Sequence, residues 1–228
     1  MRFAVFGTGI VGQTIAHKLV SLGHEVAMGT RDPEATLART EPDGYGNPPL
    51  SQWLAERPSV QLMAYADAAA FGEAAVNTTA GNGSLQALEA AGAGNLAGKV
   101  LIDIANPLDF SQGMPPALNP VNTDSLGEQI QRAFPETRVV KTLNTMNAAI
   151  MVDPSLVPGQ HNAFVSGNDA EAKAFVVERL VEFGWPREAV IDLGDISTAR
   201  GTEMLLPVWL RLWGALGHAD FNFHIAVA

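Results

Sequence analysis

Cysteine is absent from the 228-residue chain, which removes disulfides, thiolate metal sites and a cysteine nucleophile at once. Basic residues are scarce: 14 Lys and Arg stand against 24 Asp and Glu, for a net charge of −10. No Lys/Arg cluster is available to follow a phosphate backbone, so nucleic acid is not an expected partner. His17, His24, His161, His218 and His224 never fall at a His-x-x-x-His or similar ligand spacing, and no metal site is expected. A Gly-x-Ser-x-Gly elbow is also missing, which leaves Ser-His-Asp hydrolysis without support. Long apolar runs are lacking too. Met1 to Val11 is apolar but has no charged leader or Ala-x-Ala-like cleavage site, and Met204 to Ala215 is cut by Pro207 and Arg211 and is too short to span a bilayer. The expectation is a cytoplasmic chain without membrane contact.

What is present is 47% hydrophobic residues, enough for a substantial core. Arg2 to Phe6 reads as a strand that breaks at Gly7. Gln13 to Leu22 follows with helical spacing, Ile15, Leu19 and Leu22 on one side and Gly23 as the stop, and Glu25 to Met28 is a second strand. This is a βαβ unit, which the right-handed crossover rule makes a parallel pair. Glu41 to Leu50 is Pro/Gly-rich and reads as a surface loop. Val60 to Met63, Ala74 to Thr78, Val100 to Ile104 and Val139 to Leu143 continue the strands, with helices at Ala66 to Phe71, Leu85 to Ala91 and Ser125 to Phe134. The fold class is α/β: a Rossmann doubly wound parallel sheet over residues 1–145.

Past Thr145 the pattern shifts towards a small C-terminal α+β portion, residues 146–228. It has strands at Ala163 to Ser166 and Ala189 to Leu193, and a helix at Asn168 to Phe183 that opens with an Asn168/Glu171 capping box and stops at Gly184 and Pro186. A long helix, Ser197 to Leu216, is expected to kink at Pro207. Alternation of Phe221, Phe223, Ile225 and Val227 with Asn222, His224 and Ala226 predicts a half-buried terminal strand.

Gly7-x-Gly9-x-x-Gly12 lies between a strand and a helix, the context in which this pattern marks a dinucleotide site. Gly7 allows the tight turn, Gly9 lets a pyrophosphate approach the helix N-terminus, and Gly12 lets helix and strand pack closely. Thr8, Ile10 and Val11 complete the turn as cofactor-contacting candidates. An NAD site normally places a carboxylate about twenty residues further on, to receive the ribose hydroxyls. Here that position holds Thr30, followed by Arg31. A hydroxyl donates to a 2′-phosphate and a guanidinium clamps it, so the pair selects NADP. Asp32 would reach a ribose or pair with Arg31.

The other strand ends supply neutral groups. Thr79 and Ala80, in the run from Thr78 to Gly83, either line the cofactor or only enter a helix, and Asn106-Pro107 holds the nicotinamide ribose or merely starts a turn. Asn144 would face the nicotinamide. Ser197, Arg200 and Glu203 form a polar helix face that serves a substrate pocket, or else a cap and a salt bridge. Trp209, Trp213, Phe221 and Phe223 would stack on a flat ring, pack a core or cover a dimer surface.

The stretches RFAVFGTGIVGQTIAHKLVSLGHEVAMGTRDP, KVLIDIANPL, KTLNTM, FVSGNDAEAKAFVVERLVEFGW and VIDLGDISTARGTEMLLPVWLRL together resemble the deazaflavin (coenzyme F420)-dependent NADP oxidoreductase family. The cytoplasmic domains of membrane metalloreductases look similar. The resemblance implies a Rossmann domain carrying NADP, with Thr8, Thr30 and Arg31 on the 2′-phosphate side. It also implies a C-terminal portion covering the nicotinamide, and a small-molecule hydride acceptor such as coenzyme F420 stacked there. The loop from Glu41 to Leu50 is longer than the family pattern, and Asn144 replaces a histidine. Two other readings stand beside this one: an NADP-binding redox sensor without turnover, and a reductase of a small imine or hydroxy-acid substrate using Lys141. The apolar C-terminal surface suggests a homodimer.

Overall fold

In the computed structural model, which describes residues 1–42 and 46–227, strands and helices alternate through the first half of the chain. The strands are β1 (Arg2–Phe6), β2 (Glu25–Thr30), β3 (Val60–Ala64), β4 (Ala74–Asn77) and β5 (Val100–Asp103). Between them lie α1 (Ile10–Ser21), α2 (Pro33–Leu37) with α3 (Leu50–Ala55), α4 (Tyr65–Phe71), and α5 (Gly81–Ala91) with α6 (Ala93–Leu96). A small hairpin of β6 (Leu108–Asp109) and β7 (Ala117–Leu118) precedes α7 (Leu126–Ala133) and β8 (Arg138–Thr142). Then come α8 (Ala148–Val152), β9 (Ala163–Gly167), α9 (Ala170–Phe183), β10 (Val190–Gly194), α10 (Ala199–Glu203) and α11 (Leu206–Leu216).

Eight strands share one sheet in the order β10-β9-β8-β5-β4-β1-β2-β3, and every neighbouring pair is parallel except β8 with β9. From β1 the chain winds one way to β2 and β3 and later the other way to β4, β5 and β8. The crevice at the carboxyl ends of β1 and β4 is therefore the place where such sheets bind ligands. Helices cover both faces. Phe3 and Val5 pack with Ile15 and Leu19 of α1 on one side, while Ala4 and Phe6 pack with Ala68, Ala69 and Leu88 of α4 and α5 on the other. A strand buried on both faces must be apolar at every position, which is why β1 reads as an unbroken run.

Several expectations are corrected. The strands of residues 146–228 join the sheet of the first half, and not all of that sheet is parallel: Thr142 of β8 pairs antiparallel with Val165 of β9, and β10 extends the same sheet. The helix after β9 is capped by Asp169, which accepts from the Ala172 N–H at 2.8 Å, while Asn168 accepts instead from the Ile196 N–H at 3.1 Å. The long kinked helix is broken into a 3₁₀ turn at Ile196–Thr198, α10 and α11. Pro207 has no N–H for the Glu203 carbonyl and its ring would strike it, so it sits in the first turn of a new helix. The terminal strand is instead a tail outside the sheet, held mainly by Asn162, with Asn222 Nδ2 also 2.9 Å from His161 Nδ1. Asn162 N–H donates to the Phe223 carbonyl at 2.9 Å, Ile225 N–H to Asn162 Oδ1 at 2.9 Å, and Asn222 Nδ2 to the Asn162 carbonyl at 3.0 Å. One backbone bond and a few side-chain bonds make no ladder. Within the expected loop, Leu50 already begins α3, and residues 43–45 lie outside the described residues.

Candidate active site

Gly7 takes a left-handed φ of 110°, turning the chain from β1 into α1. A Cβ at Gly12 would run into the Gly7 carbonyl oxygen, so helix and turn are in direct backbone contact. Gly9 differs: a Cβ there would meet nothing within 4 Å. It is the N-cap of α1 and no side chain caps the helix, which leaves first-turn amides for an anion. This open cradle fits the diphosphate of a dinucleotide. Val11 lines the cleft beyond it, whereas Ile10 is half-exposed.

At the end of β2, Thr30 is buried with its hydroxyl 2.9 Å from Thr36 Oγ1, which donates to the Asp32 carbonyl at 2.7 Å. Thr30 is therefore the donor to Thr36. Arg31 donates from Nη2 to Gln86 Oε1 of α5 at 3.4 Å. Asp32 is the N-cap of α2, accepting from the Ala35 N–H at 2.9 Å.

A cavity of about 410 Å³ opens at the carboxyl ends of β4, β5 and β8, lined by Val11, Thr79, Ala80, Ile104, Asn106, Phe110, Met146 and Met151 among others. Pro107 lies beside it, its carbonyl accepting from the Asn119 N–H at 2.9 Å. Asn144 and Asn106 bridge the ends of β8 and β5. Asn144 Nδ2 donates to Asn106 Oδ1 at 2.9 Å, and Asn106 Nδ2 donates to the Asn144 carbonyl at 2.8 Å. The chain reaches this arrangement through a left-handed Leu143, φ 59°, a conformation that costs a residue with a Cβ about 1–3 kcal/mol.

Beneath the cleft lies a network that motif reading missed. Lys141 is fully buried, with Nζ 2.9 Å from Asp103 Oδ2 and 2.8 Å from Glu203 Oε1, and it donates to the Ala105 carbonyl. Burial works against its charge, but Asp103 and Glu203 outweigh that and hold its pKa above the ordinary lysine value. Asn77 Nδ2 donates to Asp103 Oδ1 at 2.8 Å, and Thr79 Oγ1 donates to Asn77 Oδ1 at 2.7 Å, so the network ends on a residue of the cleft wall. Glu203 also accepts from the Leu126 and Gly127 N–H groups at the start of α7, at 2.8 and 3.1 Å. The signal was available. Asp103 in VLIDIA and Lys141 in RVVKTL are charges inside apolar runs, and the two are register partners in the sheet.

The C-terminal candidates are placed elsewhere. Ser197 Oγ donates to Asp195 Oδ1, and Arg200 forms a two-pronged pair with Glu128, at 2.8 and 2.6 Å, so neither lines the cleft. The Arg200 guanidinium leads the causes that hold the Glu128 carboxyl below the usual range. Trp209 stacks on Phe221 at 5.4 Å and neighbours Trp213 at 6.0 Å, forming a cluster at the surface rather than a core.

A family model described as NADP oxidoreductase, coenzyme F420-dependent, matches residues 2–107. A solved structure from Arthrobacter sp. FB24, described as an F420-dependent NADP reductase, is 66% identical, with 99% of each chain covered and a TM-score of 0.94. The chain belongs to the coenzyme F420-dependent NADP oxidoreductase family. It is an NADP-dependent oxidoreductase. The curated relative metalloreductase STEAP3 from Rattus norvegicus is 27% identical over 91% of this chain, which spans 38% of that protein's length. An imine reductase from Aspergillus terreus, 16% identical, shares the fold at a TM-score of 0.62 over 95% of this chain and 62% of its own. Among the described residues, no helix is long and apolar enough to cross a membrane.

Proposed function

We propose that the chain moves hydride between NADPH and a planar deazaflavin acceptor, coenzyme F420, in the cleft above β4, β5 and β8. The lining of that cleft carries the reading. Val11, Ile104, Phe110, Met146 and Met151 offer apolar walls, Thr79 and Asn106 offer neutral polar groups, and no acidic or basic side chain is among the lining residues. Transfer between two rings asks for close, dry stacking at about 3–3.5 Å rather than a poised proton donor. NADPH, when bound, supplies the hydride itself. The phosphate turn holds the diphosphate, Thr79 and Ala80 flank the nicotinamide ribose, and the paired Asn106 and Asn144 set the orientation of the ring. The methionines and Phe110 keep water out. Lys141, the base a hydroxy-acid dehydrogenase would need, is fully buried and enclosed by its two carboxylates.

A homodimer belongs to this reading. α11 is apolar apart from Arg211, yet Val208, Trp213 and Leu216 are 50%, 42% and 50% exposed, and a second copy would cover them.

The test is to mix the protein anaerobically with NADPH and oxidised coenzyme F420 and follow the visible absorbance of the deazaflavin. Rapid bleaching is expected. NADPH binding without bleaching sinks the deazaflavin assignment; parallel mixtures with a flavin, a ferric chelate and a cyclic imine then separate another acceptor from a sensor that turns nothing over.

A further inference from the structure

Lys141, Asp103 and Glu203 take no part in the chemistry proposed above, yet the run of hydrogen bonds that starts on them ends in the cleft. Lys141 Nζ has three protons, directed at Asp103 Oδ2, Glu203 Oε1 and the Ala105 carbonyl. Asp103, a carboxylate beside that ammonium, can only accept. Its Oδ1 receives Asn77 Nδ2 at 2.8 Å and the Ala105 N–H at 3.3 Å. Asn77 and Asp103 are both fully buried.

That fixes which way round the Asn77 carboxamide lies. Turned over, it would set its oxygen against the Asp103 oxygen, and two acceptors would face each other in a buried place. Asn77 Oδ1 is therefore left to Thr79, from whose Oγ1 it accepts at 2.7 Å and from whose N–H it accepts at 3.3 Å. The one hydroxyl proton of Thr79 is thereby committed. Ser84 Oγ accepts the second Asn77 proton at 3.1 Å, and it must be the donor in its 2.8 Å contact with Thr79 Oγ1. Among the described residues, Thr79 Oγ1 keeps one lone pair and no proton, and Thr79 lines the cleft.

We infer that the buried chain from Lys141 through Asp103 and Asn77 fixes Thr79 as a hydrogen-bond acceptor, and that Thr79 receives a donor from the nicotinamide end of NADP. The donor is an N–H of the carboxamide or a hydroxyl of the adjoining ribose. Lys141, Asp103 and Asn77 are positioning residues, each acting through the next. The inference rests on the nicotinamide end lying beside Thr79 and is independent of the molecule that exchanges hydride with it. Reversing the chain has a definite result. In Asp103→Asn the new carboxamide offers its oxygen to Lys141 and an N–H to Asn77, so Asn77 turns over, its Nδ2 donates to Thr79, and the Thr79 proton is released towards the cleft. A donor there meets the donor of the ligand, and a lost hydrogen bond between neutral groups weakens binding about 3- to 10-fold.

The experiment titrates wild type, Thr79→Val, Thr79→Ser, Asp103→Asn and Asn77→Ala by calorimetry, with no hydride acceptor present. The ligands are NADP, its 3-acetylpyridine analogue, whose ketone has no N–H, and adenosine 2′,5′-bisphosphate, which lacks the nicotinamide end. Thr79→Val is expected to weaken NADP about 3- to 10-fold and leave the bisphosphate within about 2-fold, with Thr79→Ser restoring the wild-type value. Asp103→Asn should show the same selective loss, and adding Thr79→Val to it should cost under about 2-fold more. Asn77→Ala frees the same proton without touching the charges, and the Thr79→Val loss should shrink in that background too. It carries the test if far-UV circular dichroism shows that Asp103→Asn does not fold. A loss that the analogue does not share assigns the donor to the carboxamide, and a loss it shares assigns it to the ribose. NADP binding unchanged in Thr79→Val, or a Thr79→Val loss of the same size in the wild-type and relay-variant backgrounds, overturns the inference. Equal weakening of NADP and the bisphosphate by Thr79→Val overturns the placement of the nicotinamide end and the inference with it. Reduction of coenzyme F420 does not enter these titrations, so failure of the deazaflavin reading is seen separately, in the bleaching assay.

Discussion

Lys141 and Trp213 both stand where composition alone would not put them. One is a charge with no exposed side-chain surface inside a sheet, and the other is a large aromatic that is 42% exposed on a helix. Around Lys141 every group is answered: Asp103, Glu203 and the Ala105 carbonyl surround the ammonium, and Asn77 and the α7 amides take up the remaining carboxylate oxygens. Trp213 neighbours the Trp209 ring, which stacks in turn on Phe221, and its own ring stays largely in water. The cleft floor is satisfied within the chain, whereas α11 leaves apolar side chains exposed. A single fold thus holds one region whose cost of burial is offset and another that keeps apolar surface in water.

The largest effect should come from opening the complete region. Lys141→Met leaves Asp103 and Glu203 buried without a cation, which should cost about 3–5 kcal/mol in denaturant unfolding; a cost under about 1 kcal/mol would show that the network is ornamental. The same pair predicts an alkaline limit. The folded pKa of Lys141 is raised, so its contribution is fully present below the unfolded value of about 10.4 and is lost as the pH rises through the folded one. Glu203→Gln removes one of the charges that raise it and should move that loss to lower pH. Next in size is the uncovered region. Val208→Glu with Trp213→Glu should convert a dimer into a monomer in sedimentation, while shifting the unfolding of the chain by less than about 1 kcal/mol. A wild type that sediments as a monomer at micromolar concentration would end that part of the comparison. The smallest effect belongs to an exposed ion pair that is neither floor nor interface. Hydrogen bonds from Arg132 hold the Asp124 carboxyl at about 2. The stabilisation is thus present above the usual carboxylate range and fades as pH falls towards that value. Because solvent screens the pair, Asp124→Asn should cost no more than about 1 kcal/mol.

The legible part of the fold was the part written in apolar runs. Strands buried on both faces, such as FAVF of β1, the glycine turn and the helix after Asp169 all leave local signals, and they lie within two or three residues of where the periodicity puts them. The reversal of β9 against β8 leaves none, because an interior strand is equally apolar in either direction. The alternation from Phe221 to Val227 was real but served another purpose. Phe221 turns to Trp209, and Asn162 holds the backbone, so period two here reports an extended tail and not a ladder. At the site, the glycines and the strand-end asparagines were readable because they are adjacent in sequence to the strands that carry them. Lys141 was read for its chemistry and not for its burial, although a lysine in RVVKTL asks at once where its counter-charge lies.

The pairing of Asn106 with Asn144 has one more implication. Two carboxamides fill the point where β5 and β8 come together, each occupied by the other, and a carboxamide neither gains nor loses a proton in water near neutrality. Among the described residues lining the cleft, none is an acid or a base. On the proposed reading, acidity then reaches the chemistry there through the molecules that enter, and the protein serves as a shaped, neutral solvent.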